Sequence, residues 1–236
     1  MKKTLVWAHR GASGYEKENT LAAFRLAVDQ GADGVELDVQ FSKDEELVII
    51  HDERIDRTTG GQGYVKDYTY DELCDISENQ IPTLRQVYEL LKPTGLTINV
   101  ELKTGIFFYP GIEQRVVSLT KEMDMERNVI YSSFNHKSIK KVMKMNIKSE
   151  VGLLYGDGFL HVPKYAAKMG VDALHPALYN LQYPHFIEKC KAKDLKLHVW
   201  TVNEESHMKL LCEQGIDAII TNYPDKARKV VDSFRK

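Results

Sequence analysis

The sequence has no apolar run approaching the roughly 20 residues that a membrane-spanning helix needs, and it has no cysteine motif. Its three cysteines (Cys74, Cys190 and Cys212) are odd in number and far apart, which leaves no CxxC spacing and little support for a disulfide framework or a zinc knuckle. HxH and HExxH are absent as well, so zinc would lack its usual imidazole donors. Nor is there an excess of one charge. Basic and acidic side chains number 32 and 34, a formal net charge of −2 with both signs interspersed, and no whole-chain field draws nucleic acid or an anionic membrane. The basic run over residues 137–148 has the spacing of a solvated helix face. At the N-terminus, Lys2 and Lys3 are followed by too few apolar residues before His9 and Arg10 to make a signal-peptide core, so a cytoplasmic location is expected. Long disorder is excluded by a composition that is 43% hydrophobic and 28% charged.

What is present is an alternation of short β-rich runs with helical patterns. Strands are predicted at residues 5–9, 34–39, 96–102, 128–132, 151–155, 173–175, 197–202 and 218–221. Helices are predicted at 20–30, 83–92, 111–123, 136–145, 162–169, 184–193, 204–214 and 225–234. Gly31, Gly170 and Gly215 stand just past three of them, where a left-handed cap costs least. Eight strand–helix units point to an α/β fold, a closed (β/α)₈ TIM barrel, with a doubly wound open sheet as the alternative that counting leaves open. A further strand-like run at 47–51 and a loop-rich stretch at about 52–81, with one helical turn at 70–74, break the rhythm. They read as an insertion after the second strand, lying over the mouth of a single domain that spans residues 1–236.

In such a barrel, the C-terminal ends of the strands line the active site. His9 and Arg10 end the first strand, Glu36-Leu37-Asp38 the second, and Glu101-Leu102-Lys103 the third. Side chains alternate along a strand, so Glu36 and Asp38 share a face, as do Glu101 and Lys103. Three carboxylates at one mouth are costly without positive charge among them. A hard divalent cation, Mg²⁺ or Ca²⁺, suits an all-oxygen donor set, and structural ion pairs with Arg10 and Lys103 are the alternative. His51-Asp52 ends the extra strand with another ionisable pair, and histidine titrates where an acid or base at neutral pH must.

Taken in order, the motifs resemble those of the glycerophosphodiester phosphodiesterase family, over essentially the whole chain. They are His9-Arg10-Gly11, Glu18-Asn19-Thr20, Glu36-Leu37-Asp38, His51-Asp52, the run from Asp56 to Gly63, Glu101-Leu102-Lys103, Trp200 to Asn203, and Asp217 to Pro224. The resemblance implies a (β/α)₈ barrel with a small insertion, and metal-dependent hydrolysis of glycerophosphodiesters to glycerol 3-phosphate and an alcohol. It implies His9 and His51 as the acid–base pair, and Glu36, Asp38 and Glu101 as the ligands of a divalent cation, Mg²⁺ or Ca²⁺. Arg10 and Lys103 would face the phosphate and Trp200 would support the substrate. His175 and Phe107 are candidates for the pocket wall, and Glu18 and Asn19 for structural support beside the site. Two positions depart from the family: Lys17 stands where proline is common, and Asn222 where aspartate is common.

The implied partner is a small-molecule glycerophosphodiester, with no nucleic acid and no stable membrane association, and the oligomeric state is open. Two rival readings remain. One is a phospholipase D-like enzyme acting on lysophospholipids, for which the apolar run Ile106 to Tyr109 is the relevant feature. The other is a non-catalytic phosphodiester-binding module, which is expected to have lost a histidine or a carboxylate that this chain keeps.

Overall fold

The computed structural model describes residues 4–234. Eight parallel strands form where short aliphatic and β-branched runs predict them: β1 (Leu5–His9), β2 (Gly34–Phe41), β4 (Thr97–Leu102), β5 (Val129–Ser133), β6 (Glu150–Tyr155), β7 (Ala173–Pro176), β8 (Lys196–Val199) and β9 (Ala218–Thr221). Each pairs with the next, β9 pairs with β1, and β1 pairs with β2, so the sheet closes on itself. Closure settles the choice left by counting: the fold is a (β/α)₈ barrel, not an open sheet. The ninth strand, β3 (Leu47–Ile49), runs antiparallel to the far end of β2, with Val39 opposite Ile49 and Phe41 opposite Leu47.

Eight helices surround the barrel: α1 (Leu21–Asp29), α3 (Leu84–Leu91), α4 (Ile112–Glu122), α5 (His136–Met143), α6 (Val162–Met169), α7 (Phe186–Lys191), α8 (Glu205–Glu213) and α9 (Pro224–Ser233). Their starts follow capping chemistry. Thr20 accepts from the Ala23 amide, and Thr83 forms a reciprocal capping box with Gln86. Gly31, Gly170 and Gly215 all have positive φ, as their places after α1, α6 and α8 require. Among the described residues, no helix is long and apolar enough to cross a membrane.

The period of two along the strands sorts the core into layers. Val6, Ala8, Val35, Leu37, Ile98 and Val100 join the helices in the main hydrophobic core. The residues between them point the other way, and Trp7, Ile130, Ala218 and Ile220 make a small cluster inside the barrel. The insertion has its own core of Val48, Ile50, Ile55, Val65, Leu73 and Ile81. It also holds a full helix, α2 (Tyr70–Ser77), longer than the single turn expected, because Thr69 and Glu72 close a second capping box at its start.

The strand predicted over 197–202 ends early, at Val199. Beyond it Trp200 keeps the β7–β8 register in one isolated parallel bridge to Ala177: its amide donates to the Pro176 carbonyl, and its own carbonyl accepts from the Leu178 amide. Its indole lines the cavity at the strand ends.

Candidate active site

Register brings the charged strand ends together. His9 on β1 stands beside Glu36 on β2, and Asp38 on β2 stands beside Glu101 on β4. Glu36, Asp38 and Glu101 are all buried, and each offers an oxygen within 4.8 Å of the other two. Among the described residues this is the one such group of acidic, histidine or cysteine side chains.

Two fixed cations meet it. The Arg10 amide donates to Glu36 Oε2 at 3.0 Å and its Nε lies 3.4 Å from Asp38 Oδ2. Lys103 Nζ lies 3.1 Å from Glu101 Oε1 and 3.7 Å from Asp38 Oδ1. Asn19, which has positive φ, donates from Nδ2 to Asp38 Oδ2 at 2.9 Å. Burial raises all three carboxyls, but with different results. For Asp38 the positive charges of Lys103, His51 and Arg10 outweigh burial and hold it at about 2. For Glu36, the charges of Asp38 and Glu101 add to burial and hold the carboxyl well above its ordinary range. Burial lifts Glu101 to about 7 against the pull of Lys103. The cluster thus keeps its negative charge on Asp38 and resists ionising the other two. An all-oxygen set that repels itself in this way, with Asp38 Oδ1 lacking a hydrogen-bond donor, fits a hard divalent cation.

The histidines flank the cluster. His9 places Nδ1 2.7 Å from Asn222 Oδ1, an atom that can only accept, so Nδ1 carries the proton. Its Nε2 is then the free lone pair, 4.0 Å from Glu36 Oε2. Burial, with Arg10 beside it, lowers the His9 pKa to about 4. His51 is anchored in the same manner, with Nδ1 2.6 Å from Asp52 Oδ1. Asp52 in turn accepts from Arg57 Nε at 2.6 Å, and Arg57 grips Glu18 through both terminal nitrogens at 2.9 and 2.7 Å. Glu18 also accepts from Arg10 Nη1 at 3.0 Å. One ionic chain therefore runs from Arg10 at the acidic cluster to His51. Burial opposes ionisation of Asp52, but the bonds from Arg57 and His51 prevail and bring it to about 2.

His9, Arg10, Glu36, His51 and Glu101 open onto one cavity of about 110 Å³ at the C-terminal face of the barrel. Trp200 and Phe134, an edge-to-face pair with ring centres 5.6 Å apart, form its aromatic wall. Trp200 Nε1 donates to the His175 carbonyl at 2.8 Å, so the indole offers the cavity its apolar ring.

Residues 9–226 match the Glycerophosphoryl diester phosphodiesterase family. A glycerophosphodiester phosphodiesterase of Caldanaerobacter subterraneus is 44% identical over 233 residues, covering 94% of this chain and 96% of its own. The chain belongs to the glycerophosphoryl diester phosphodiesterase family. Solved structures agree with the fold and the family. A glycerophosphodiester phosphodiesterase from Thermotoga maritima superposes with a TM-score of 0.86 at 28% identity, covering 98% of this chain and 99% of that one. An Oleispira antarctica phosphodiesterase in complex with its product sn-glycerol-3-phosphate gives 0.85 at 28% identity, covering 98% and 97%. Membership makes the chain an enzyme, a phosphoric diester hydrolase of glycerophosphodiesters.

Against that family background, two expected pocket residues lie elsewhere. His175 is fully buried inside the barrel, with Nε2 2.9 Å from His198 Nδ1 and its ring against Trp7. The space it fills is opened by Gly152 on β6, where a Cβ would come within 2.3 Å of His175 Nε2. Leu154, its partner in register, lines the cavity instead. Phe107 turns away from the cavity and packs edge-on against Tyr64 and Tyr109, tying the loop after β4 to the insertion.

Asp52, Arg57 and Asn222 are site residues that motif reading left without a role. The adjacency of His51 and Asp52 was the one local signal for the first of them. Nothing local signals that Asn222 meets His9, since 213 residues separate the two.

Proposed function

We propose that the chain hydrolyses glycerophosphodiesters to glycerol 3-phosphate and an alcohol at this cavity, with a divalent cation, Mg²⁺ or Ca²⁺, held by Glu36, Asp38 and Glu101. The observation that carries the proposal is the convergence of three buried carboxylates, two fixed cations and two imidazoles with anchored Nδ1 atoms on one small cavity. When bound, the cation would neutralise charge on a non-bridging phosphate oxygen and set the phosphorus open to attack.

Every other task falls to the chain. Arg10 and Lys103 add fixed positive charge on the phosphate, most valuable as the transition state forms. His9, unprotonated at neutral pH and with Nε2 turned inwards, takes the proton of the attacking O–H. His51 gives its proton to the oxygen of the departing alcohol, and Asp52 holds the ring in place while it does so. Trp200 and Phe134 exclude water on the side where the alcohol leaves. Glu18 and Asn19 brace Arg10 and Asp38. The insertion packs on β3 beside the mouth, in keeping with a single domain over 1–236. We place the enzyme in the cytoplasm, acting on free small molecules.

The test is release of glycerol 3-phosphate from glycerophosphocholine and glycerophosphoethanolamine with Mg²⁺, with Ca²⁺ and with EDTA. Product that forms only with metal is expected. Turnover unaffected by EDTA would remove the cation from the scheme.

A second reading, hydrolysis of lysophospholipids, is favoured by one feature. Ile106, Phe108, Phe134, Phe159 and Leu160, on the loops after β4, β5 and β6, expose large apolar side chains around one side of the mouth. Lysophosphatidylcholine in the same assay decides it, and turnover faster than that of glycerophosphocholine would make the lipid the preferred substrate.

A further inference from the structure

Among the residues lining the catalytic cavity, Asn99 is the one whose chemistry is not yet accounted for. It lies on β4 two residues before Glu101, on the same inward face, and it pairs in register with Glu36 on one side and Ile130 on the other. Its side chain therefore sits at the foot of the acidic cluster, on the wall the cavity shares with Leu154 and Ile220. Asn99 is completely buried, and neither its Oδ1 nor its Nδ2 has a hydrogen-bond partner. A buried primary amide with both ends unmatched is rare, because each unpaired atom loses its water without compensation. Neighbouring leucine or isoleucine side chains offer it nothing.

The other polar groups of the cavity are already committed. The carboxylates are bound to Arg10 and Lys103, both imidazoles are held at Nδ1, and the Trp200 Nε1 bonds the His175 carbonyl. All the cavity's charged groups suit a phosphate and a cation. Only Asn99 presents a donor and an acceptor side by side without charge, and a hydroxyl, which donates and accepts, satisfies both at once. A cavity of about 110 Å³ takes the short polyol arm of a glycerophosphodiester and leaves the head group to the aromatic wall.

We propose that Asn99 is a substrate-binding residue that reads a hydroxyl of the glycerol arm, donating from Nδ2 and accepting at Oδ1, and so selects glycerol diesters over diesters lacking that hydroxyl. This deepens the phosphodiesterase reading above and rests on it. Discrimination of this kind is strong because a substrate without the hydroxyl leaves the buried amide unmatched again.

The experiment compares the unmodified enzyme with Asn99→Ala and the similarly sized Asn99→Leu on three substrates. These are a glycerophosphodiester and two analogues in which the 2-hydroxyl or the terminal hydroxyl of the glycerol is replaced by hydrogen. Asn99→Ala is expected to lower kcat/KM on the glycerol diester about 10- to 100-fold. One of the two deoxy substrates should show a similar loss with the unmodified enzyme and little further loss with the variant. Cation titrations of the unmodified enzyme and Asn99→Ala, read by thermal unfolding, should coincide. Equal loss on all three substrates would overturn the inference, as would a shifted cation midpoint, which would put Asn99 among the cation's ligands. If Asn99→Ala does not fold, the same comparison is made with Asn99→Leu, which keeps the bulk and removes both donor and acceptor without adding charge. An unmodified enzyme that turns over none of the three, while folded, would overturn the phosphodiesterase reading itself and this inference with it.

Discussion

Replacing Glu36 by glutamine should make the cation-free protein more stable while removing its response to the cation. In the folded protein, burial and the charges of Asp38 and Glu101 hold the Glu36 carboxyl well above the ordinary carboxylate range. The folded protein therefore holds a proton on it at a pH where the unfolded chain gives that proton up, and the difference opposes folding as pH rises above the ordinary carboxylate range. Glutamine has nearly the same shape and carries no such cost. For 236 residues the unfolding entropy is about 0.5 kcal/mol/K, so Glu36→Gln should raise Tm in EDTA, by about 2 °C for each kcal/mol recovered. The unmodified protein should gain instead from the cation: at 100 times Kd the linkage is about 2.7 kcal/mol, or about 5 °C. Scanning calorimetry at pH 7, in EDTA and in excess Mg²⁺ or Ca²⁺, measures both. A fall in Tm for Glu36→Gln in EDTA, or a cation-induced rise that survives the substitution, would refute the reasoning.

Cation binding should also depend on pH in a fixed direction. Glu101 keeps its proton below about 7 in the folded protein, and that proton must leave before the carboxylate can ligate. Apparent affinity should therefore fall about fivefold between pH 7 and pH 6 through Glu101 alone, as read by titration followed by thermal unfolding, and a flat profile would exclude Glu101. Asp52→Asn removes the charge that anchors His51, and kcat should fall at least about tenfold with KM little changed; steady-state kinetics that show only a raised KM would contradict the positioning role. Gly152→Ala drives a methyl group into the His175 ring, 2.3 Å from Nε2. It should cost about 1–3 kcal/mol, a drop of about 2–6 °C in Tm, whereas an unchanged Tm would show that the ring moves freely.

The barrel and the acidic cluster were legible because both rest on short-range rules. An apolar run that ends in an ionisable residue marks a strand end, and the period of two puts Glu36 with Asp38 on one face. What local rules lack is register. That His9 falls beside Glu36, and Asp38 beside Glu101, depends on how the strands slide past one another to close the barrel. The same limit applies to His175. Its place at a strand end suggested the mouth, but a glycine on the neighbouring strand opens room for the ring inside the barrel. Phe107 was drawn away by aromatic neighbours in the insertion, a contact over more than 40 residues of chain. The Arg10–Glu18–Arg57–Asp52–His51 chain was hidden for a related reason: its members are individually ordinary surface ion pairs, and their continuity exists only once the insertion folds back. Asn99 reads as one polar residue within a strand, and only burial without a partner sets it apart.

The measurement that tests the central claim most directly separates cation binding from chemistry. Glycerol 3-phosphate release from glycerophosphocholine and the cation-induced rise in Tm are followed together in the unmodified enzyme, His9→Ala, His51→Ala and Asp38→Asn. The account predicts that both histidine variants keep the thermal response and lose turnover by about 10²-fold or more, while Asp38→Asn loses both. Near-normal turnover in either histidine variant, or an intact cation response in Asp38→Asn, would contradict it.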